Sequence, residues 1–176
     1  VKKDVGLFIA LYDILEQGDQ YLYPLDGSAH VHVKFRYVVF RPFVGETISG
    51  KVLQNGKDGL QVSLGFFDDI FIPSHFMRDN VFFEEETQTW YFLADGEHKM
   101  YYDVGHPIRF KVVSETFKDV HPTTDDDNAA RATTATLDNK PGAEEDAEVG
   151  GFDTTKIAYF LTASVKDDGL GMEAWW

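Results

Sequence analysis

Hydrophobic and polar positions alternate along much of this chain with the period of a β-strand. Residues 30–40, HVHVKFRYVVF, put Val31, Val33, Phe35 and Tyr37 on one side and His32, Lys34 and Arg36 on the other. That pattern predicts a long, half-buried strand. Upstream, residues 5–12 (VGLFIALY) form a continuous apolar run with β-branched and aromatic content, which predicts a buried strand. The stretch 16–28 contains Gly18, Pro24 and Gly27 and reads as turns. Pro42 ends the long strand or bends it into the next unit.

A second β series begins at Gly45. Residues 47–53 read as a strand, and Asn55-Gly56-Lys57-Asp58-Gly59 as a turn supplying the residues a hairpin needs for positive φ. Leu60, Val62 and Leu64 share one face of the next strand. Residues 69–72 make a short strand, and Pro73-Ser74-His75-Phe76-Met77 a turn of helix with Pro73 at its first position. Residues 87–93 and 98–102 pair as a hairpin around Asp95-Gly96. Ile108, Phe110 and Val112 are in phase on a further strand, and residues 157–165 (IAYFLTASV) form the last one. Five short strands with hairpin punctuation predict a closed OB barrel. The predicted fold is mainly β: residues 1–43 a small N-terminal unit, and 44–176 the barrel with an inserted hairpin.

Residues 119–154 break the pattern. Large apolar side chains nearly vanish, and ten acids face two bases, which is −8 of the whole net charge of −14. Such a segment buries too little surface to offset its ordering entropy and is expected to be a disordered acidic loop. The remaining −6 makes the folded part only mildly acidic. A polyanion rewards Lys and Arg, so a generic nucleic-acid binder is disfavoured.

Composition excludes several classes. Without cysteine there is no disulfide framework and no thiolate metal site. No apolar run approaches the roughly 20 residues that span a bilayer. Asp125-Asp126-Asp127 and Glu144-Glu145-Asp146 lack the Gly-punctuated spacing of a calcium loop. His30, His32, His75, His98, His106 and His121 lack a zinc ligand pattern. No phosphate loop, nucleophile elbow or catalytic triad is present. A non-enzyme without cofactor or metal is expected.

Particular segments carry a family resemblance. GETISGKVLQNGKDGLQVSLGFFDDIFIPSHFM resembles the start of an S1 domain, and YLYPLDGSAHVHVKFRYVVFRPFVGE resembles the tip-to-barrel junction of the polymerase stalk family. That family includes the seventh-largest subunit of RNA polymerase II and its archaeal counterpart. SLGFFDDIFIPS, the tryptophan-bearing hairpin, the acidic loop and the ending DDGLGMEAWW look most like its RNA polymerase III member. The family's tip begins with a strand and a helix ahead of the apolar run. Both are absent here, and the chain starts at Val1, so residues 1–43 are expected to be a partial α+β tip of a longer or processed protein.

The resemblance implies a nuclear, non-catalytic stalk subunit that pairs with a smaller helical subunit. It implies contact with the polymerase core and initiation factors, support of transcription initiation, and a barrel close to emerging single-stranded RNA. The alternative is a free-standing S1-domain RNA-binding protein. S1 barrels stack bases on aromatics of their second and third strands. Alignment with the common Gly-Ala-Phe-Val puts Gln61 at the first such position, and alignment with Leu-Val-His-Val-Ser puts Ile72 at the second. Phe66 and Phe67 are then the substitute rings, and Lys51, His75, Arg78 and Lys111 the candidate phosphate contacts. Phe pairs in barrels are more often core than platform, and lone lysines more often solvated surface.

For protein partners the candidates are Phe8 in the apolar run, Tyr23 and Pro24 in the approach to the long strand, and the terminal Trp175 and Trp176. Two exposed tryptophans are costly, so docking on the barrel or on a partner is expected. Replacing both with Ala should weaken formation of the heterodimer. A pull-down that recovers the small partner undiminished would refute that role.

Overall fold

The computed structural model describes all residues except Tyr23, Asp26, 95–97, 119–147, 150, 151, Thr155 and Trp176. The chain divides into two units, Val1–Arg41 and Pro42–Trp176.

In the first unit, strand β1 (Leu7–Leu22) pairs antiparallel with β2 (Ala29–Phe40). β1 is longer than the apolar run that predicts it and passes through residues expected to turn. Phe8 lies opposite Val39, Leu11 opposite Tyr37, Ile14 opposite Phe35 and Gln17 opposite Val33. β2 advances two residues per step while β1 advances three, because Ile9, Tyr12 and Leu15 are each bulged out between successive pairs. Opposed residues share a face. The bulges therefore bring a three-residue apolar spacing into phase with a two-residue one. The other face is polar, with Asp13 opposite Arg36 and Glu16 opposite Lys34. The Arg36 guanidinium donates two hydrogen bonds to the Asp13 carboxylate, at 2.8 and 2.5 Å.

The strand expected to be buried is not. Phe8, Leu11, Ile14, Val33, Phe35 and Tyr37 are each 40–57% exposed. A two-stranded ribbon has no layer of its own with which to cover a face.

The second unit runs β3 (Thr47–Gly56), β4 (Gly59–Ser63), β5 (Ile70–Pro73), a 3-10 turn at Ser74–Phe76, β6 (Val81–Glu84), β7 (Thr89–Ala94), β8 (His98–Tyr101), β9 (Pro107–Phe117), β10 (Glu148–Val149), β11 (Phe152–Asp153), β12 (Tyr159–Ser164), β13 (Gly171–Met172) and a last 3-10 turn at Glu173–Trp175. Five strands close on themselves in the order β3-β4-β5-β12-β9, with β9 returning to β3. Every barrel pairing is antiparallel except β5 with β12, where Leu161 lies beside Ile70 and Thr162 beside Phe71. This is the predicted OB barrel. Its interior holds Val52, Leu60, Val62, Ile70, Ile72, Ile108, Phe110, Val112, Leu161 and Ala163, all at most 1% exposed. Burying each large side chain stabilises the fold by about 1.5–3 kcal/mol.

Three details depart from expectation. The inserted hairpin is a three-stranded meander, because β6 pairs with the edge of β7. Its four residues abut Glu85 and Glu86 and show no alternation long enough to read. Second, the hairpin between β3 and β4 turns through Lys57-Asp58, and neither flanking glycine has positive φ. Gly59 is required by close approach instead: a Cβ there would lie 2.3 Å from the Ile72 carbonyl oxygen. Third, most of the acidic segment 119–154 lies outside the described residues, but its end is ordered. Glu148 and Val149 pair with Asp153 and Phe152, and Thr154 is fully buried.

Substituting Gly59→Ala should therefore cost at least about 2 kcal/mol, as overpacking against backbone that cannot yield. Gly27→Ala, where nothing lies within 4 Å of the new methyl, should stay within about 0.5 kcal/mol of the parent. Urea denaturation of the two variants checks the contrast.

Candidate functional surfaces

The outer face of the barrel at β4, β5 and β12 is set by register. Leu60 pairs with Ile72 and Val62 with Ile70, and all four point inward. Gln61 pairs with Phe71 and so shares the outer face with it. Ile72 is thus interior, and the ring beside Gln61 is that of Phe71. Alignment by motif misses this residue. The signal that finds it is the two-residue period counted across the antiparallel pair from Gln61. Phe71 is nonetheless only 1% exposed. The ring of Phe152 from β11 stacks on it at 4.9 Å and 27°, and Phe160 from β12 meets it edge-on at 6.0 Å.

The predicted nucleic-acid residues fall at scattered places. Gln61 donates its side-chain amide to the Asp68 carbonyl at 3.0 Å. Phe66 is exposed in the loop that follows Gly65, whose φ of +87° sets the turn. Phe67 is buried beneath Tyr159 at 5.6 Å, so its ring belongs to the core and is covered from a stacking base. Lys51 lines an open depression with Ser49, Ser63, Gly65 and Glu173, and the Ser49 hydroxyl donates to Glu173 across it. His75 is exposed beside Phe76. Arg78 and Lys111 converge on one turn: Lys111 pairs with the Asp167 carboxylate at 2.8 Å, and Arg78 donates to the Asp167 carbonyl at 3.3 Å and lies 3.8 Å from the Asp168 carboxylate.

Carboxylates also sit among these groups. The Ser63 hydroxyl donates to Asp68. Burial, and secondarily the neighbouring Asp68 charge, push the Asp69 carboxyl above its ordinary pKa. An added phosphate next to this pair meets repulsion. Among the described residues no three of His, Asp and Glu approach closely enough to hold a metal ion.

Of the predicted partner residues, Phe8 is exposed on the apolar side of the β1–β2 ribbon, edge-on to Tyr37 at 5.2 Å. Pro24 is exposed in the β1–β2 connection. Tyr23 and Trp176 lie outside the described residues. Trp175 is half-buried against its own unit. It stacks with Phe92 of β7 at 5.8 Å, meets Tyr102 edge-on at 4.8 Å, and lies 3.1 Å from where a Cβ on Gly171 would be. The C-terminal turn thereby fastens the inserted meander. From the other side, the Trp90 indole donates to the Gly56 carbonyl at 2.7 Å.

A closed five-stranded barrel with one parallel seam defines an OB-fold protein. Residues 46–176 match the family described as RNA polymerase III subunit Rpc25, and the chain belongs to that family. It is 38% identical to DNA-directed RNA polymerase III subunit RPC8 of Bos taurus over 179 residues, spanning 100% of this chain and 80% of the relative. The RPC8 of Saccharomyces cerevisiae is 36% identical over 98% of the chain and 81% of its own length. A more distant relative, the RNA polymerase II subunit RPB7 of the same yeast, is 36% identical over 41% of the chain and 42% of its own length.

The Tyr102 hydroxyl is buried with no hydrogen-bond partner among the described residues. Burial pushes its pKa well above the usual 10.0, with Arg78 opposing weakly. A raised folded pKa favours the folded state fully below the ordinary value and loses that advantage as pH climbs past it. Tyr102→Phe should leave neutral-pH stability unchanged or up to about 1 kcal/mol higher. It should also flatten the fall in melting temperature between pH 10 and 12 relative to the parent. Thermal melts across that range decide.

Proposed function

We propose that this chain is a non-catalytic stalk subunit of nuclear RNA polymerase III. It pairs with a smaller helical subunit, contacts the polymerase core and initiation factors, supports initiation, and brings its barrel to the emerging single-stranded RNA. Family membership supports the assignment to the polymerase. The observation that carries the docking role is the β1–β2 ribbon, with one face ion-paired and the other apolar and exposed. Contiguous exposed apolar surface of this kind marks a protein interface. Phe8 lies on that face, with Pro24 in the connection at the ribbon's end.

The barrel's RNA role is accessory. The net charge of −14 leaves little general attraction for a polyanion. Among the predicted residues, Phe66, Lys51 and His75 are exposed, while Gln61, Arg78 and Lys111 bond to acids and carbonyls of the chain.

Affinity purification of the tagged protein at moderate salt, followed by mass spectrometry, should recover a small partner and the large RNA polymerase III subunits. Leu11→Asp with Phe35→Asp should abolish recovery of the small partner while the barrel still melts cooperatively. RNA without polymerase subunits would instead favour a free-standing RNA-binding module. Retention of the small partner by the double variant would remove the ribbon from the interface.

A further inference from the structure

We infer that the Phe152 ring is a built-in cap on a nucleobase-stacking platform formed by Phe71 and Phe160, which single-stranded RNA occupies by displacing it. The inference rests on the RNA-contact reading above and adds to it both the site and its control.

The platform follows from the barrel itself. Phe71 sits at an outward position of β5, between Gln61 of β4 and Thr162 of β12. Outward positions of a barrel strand ordinarily face water and are polar. Here an aromatic occupies one, with the Phe160 ring set edge-on beside it. Such rings on the outer strands of an OB fold are stacking surfaces for bases of any sequence.

Phe152 occupies that surface in the manner of a stacked base, nearly parallel to Phe71 at 4.9 Å. Little secures it. β10 and β11 are two residues each and pair only with one another. The ring rests on Gly56, whose missing side chain leaves room: a Cβ there would lie 3.2 and 3.6 Å from its outer carbons. The cation next to the platform is also held by the cap segment. Lys118 lies with its ammonium 5.3 Å from the Phe160 ring and donates to the Thr154 hydroxyl at 2.9 Å. Lifting residues 152–154 uncovers the ring and breaks the Lys118–Thr154 hydrogen bond in one movement. The cap also belongs to the segment 119–154, which carries a net −8.

The test uses the full chain and a labelled twelve-nucleotide oligouridylate, followed by fluorescence anisotropy at low and physiological salt. Phe152→Ala should tighten binding at least about fivefold, the lower end of what one base–aromatic stack contributes. Adding Phe71→Leu should cancel the gain. A fluorinated phenylalanine at 152 should shift its resonance as oligouridylate is added, a readout independent of whether the Phe71 variant folds well. Binding that Phe152→Ala leaves unchanged, with an unmoved resonance at 152, would overturn the cap and leave RNA contact standing elsewhere. Absence of binding by both the parent and Phe152→Ala at low salt would overturn the RNA reading together with the cap.

Discussion

The parallel contact between β5 and β12 is the seam on which the second unit depends. β3, β4 and β5 form a meander that local turns can build, since each strand pairs with its neighbour in sequence. Closure requires β12, far along the chain, to slot between β5 and β9. Leu161 and Ala163 then enter the interior at 0% exposure beside Ile70 and Val112. Without that strand, the inner face of the meander and half of β9 would be open to water. The outer face depends on it as well, because Thr162 and Phe160 flank Phe71 only once the seam has formed. The meander of β6–β8 is held by contacts at both ends of the barrel sequence, the Gly56 carbonyl at one and Trp175 at the other.

The first unit solves a different problem. A ribbon of two strands cannot hide its apolar residues, so it segregates them. Regular bulges in β1 place ion pairs on one face and rings and aliphatic side chains on the other. Bulges also increase the local twist of such a ribbon. The two units thus differ in kind: one exposes apolar area on a single face, and the other closes its apolar side chains inside a barrel.

Much of this is legible from residue order. Period-two alternation in Ile108, Phe110 and Val112 and in Leu60 and Val62 locates interior faces correctly, because these strands have one side in a core. It fails for VGLFIALY, where an apolar run signals contact but not whether the covering surface lies in the same chain. Motif alignment misses Phe71 because it fixes residues one at a time, whereas facing is decided by pairing register across β4 and β5. β6 escapes notice because four residues beside a glutamate run carry no period. Gly59 reads as a turn residue chosen for its φ, when the constraint is the carbonyl of Ile72. The terminal tryptophans are legible as residues that must dock, but not where: Trp175 finds its pocket on β7 and beside Tyr102.

The long excursion between β9 and β12 departs and returns at one place. Phe117 pairs with Tyr159, and the Lys118 amide donates to the Ala158 carbonyl at 2.9 Å. The barrel therefore fixes both ends of the excursion, and its closing part packs back on the barrel through Phe152 and Thr154. Closing a loop between two fixed ends costs an increment that grows with the logarithm of its length, about 0.6 kcal/mol per doubling. A change in the length of the acidic stretch ahead of Phe152 should therefore cost the barrel little.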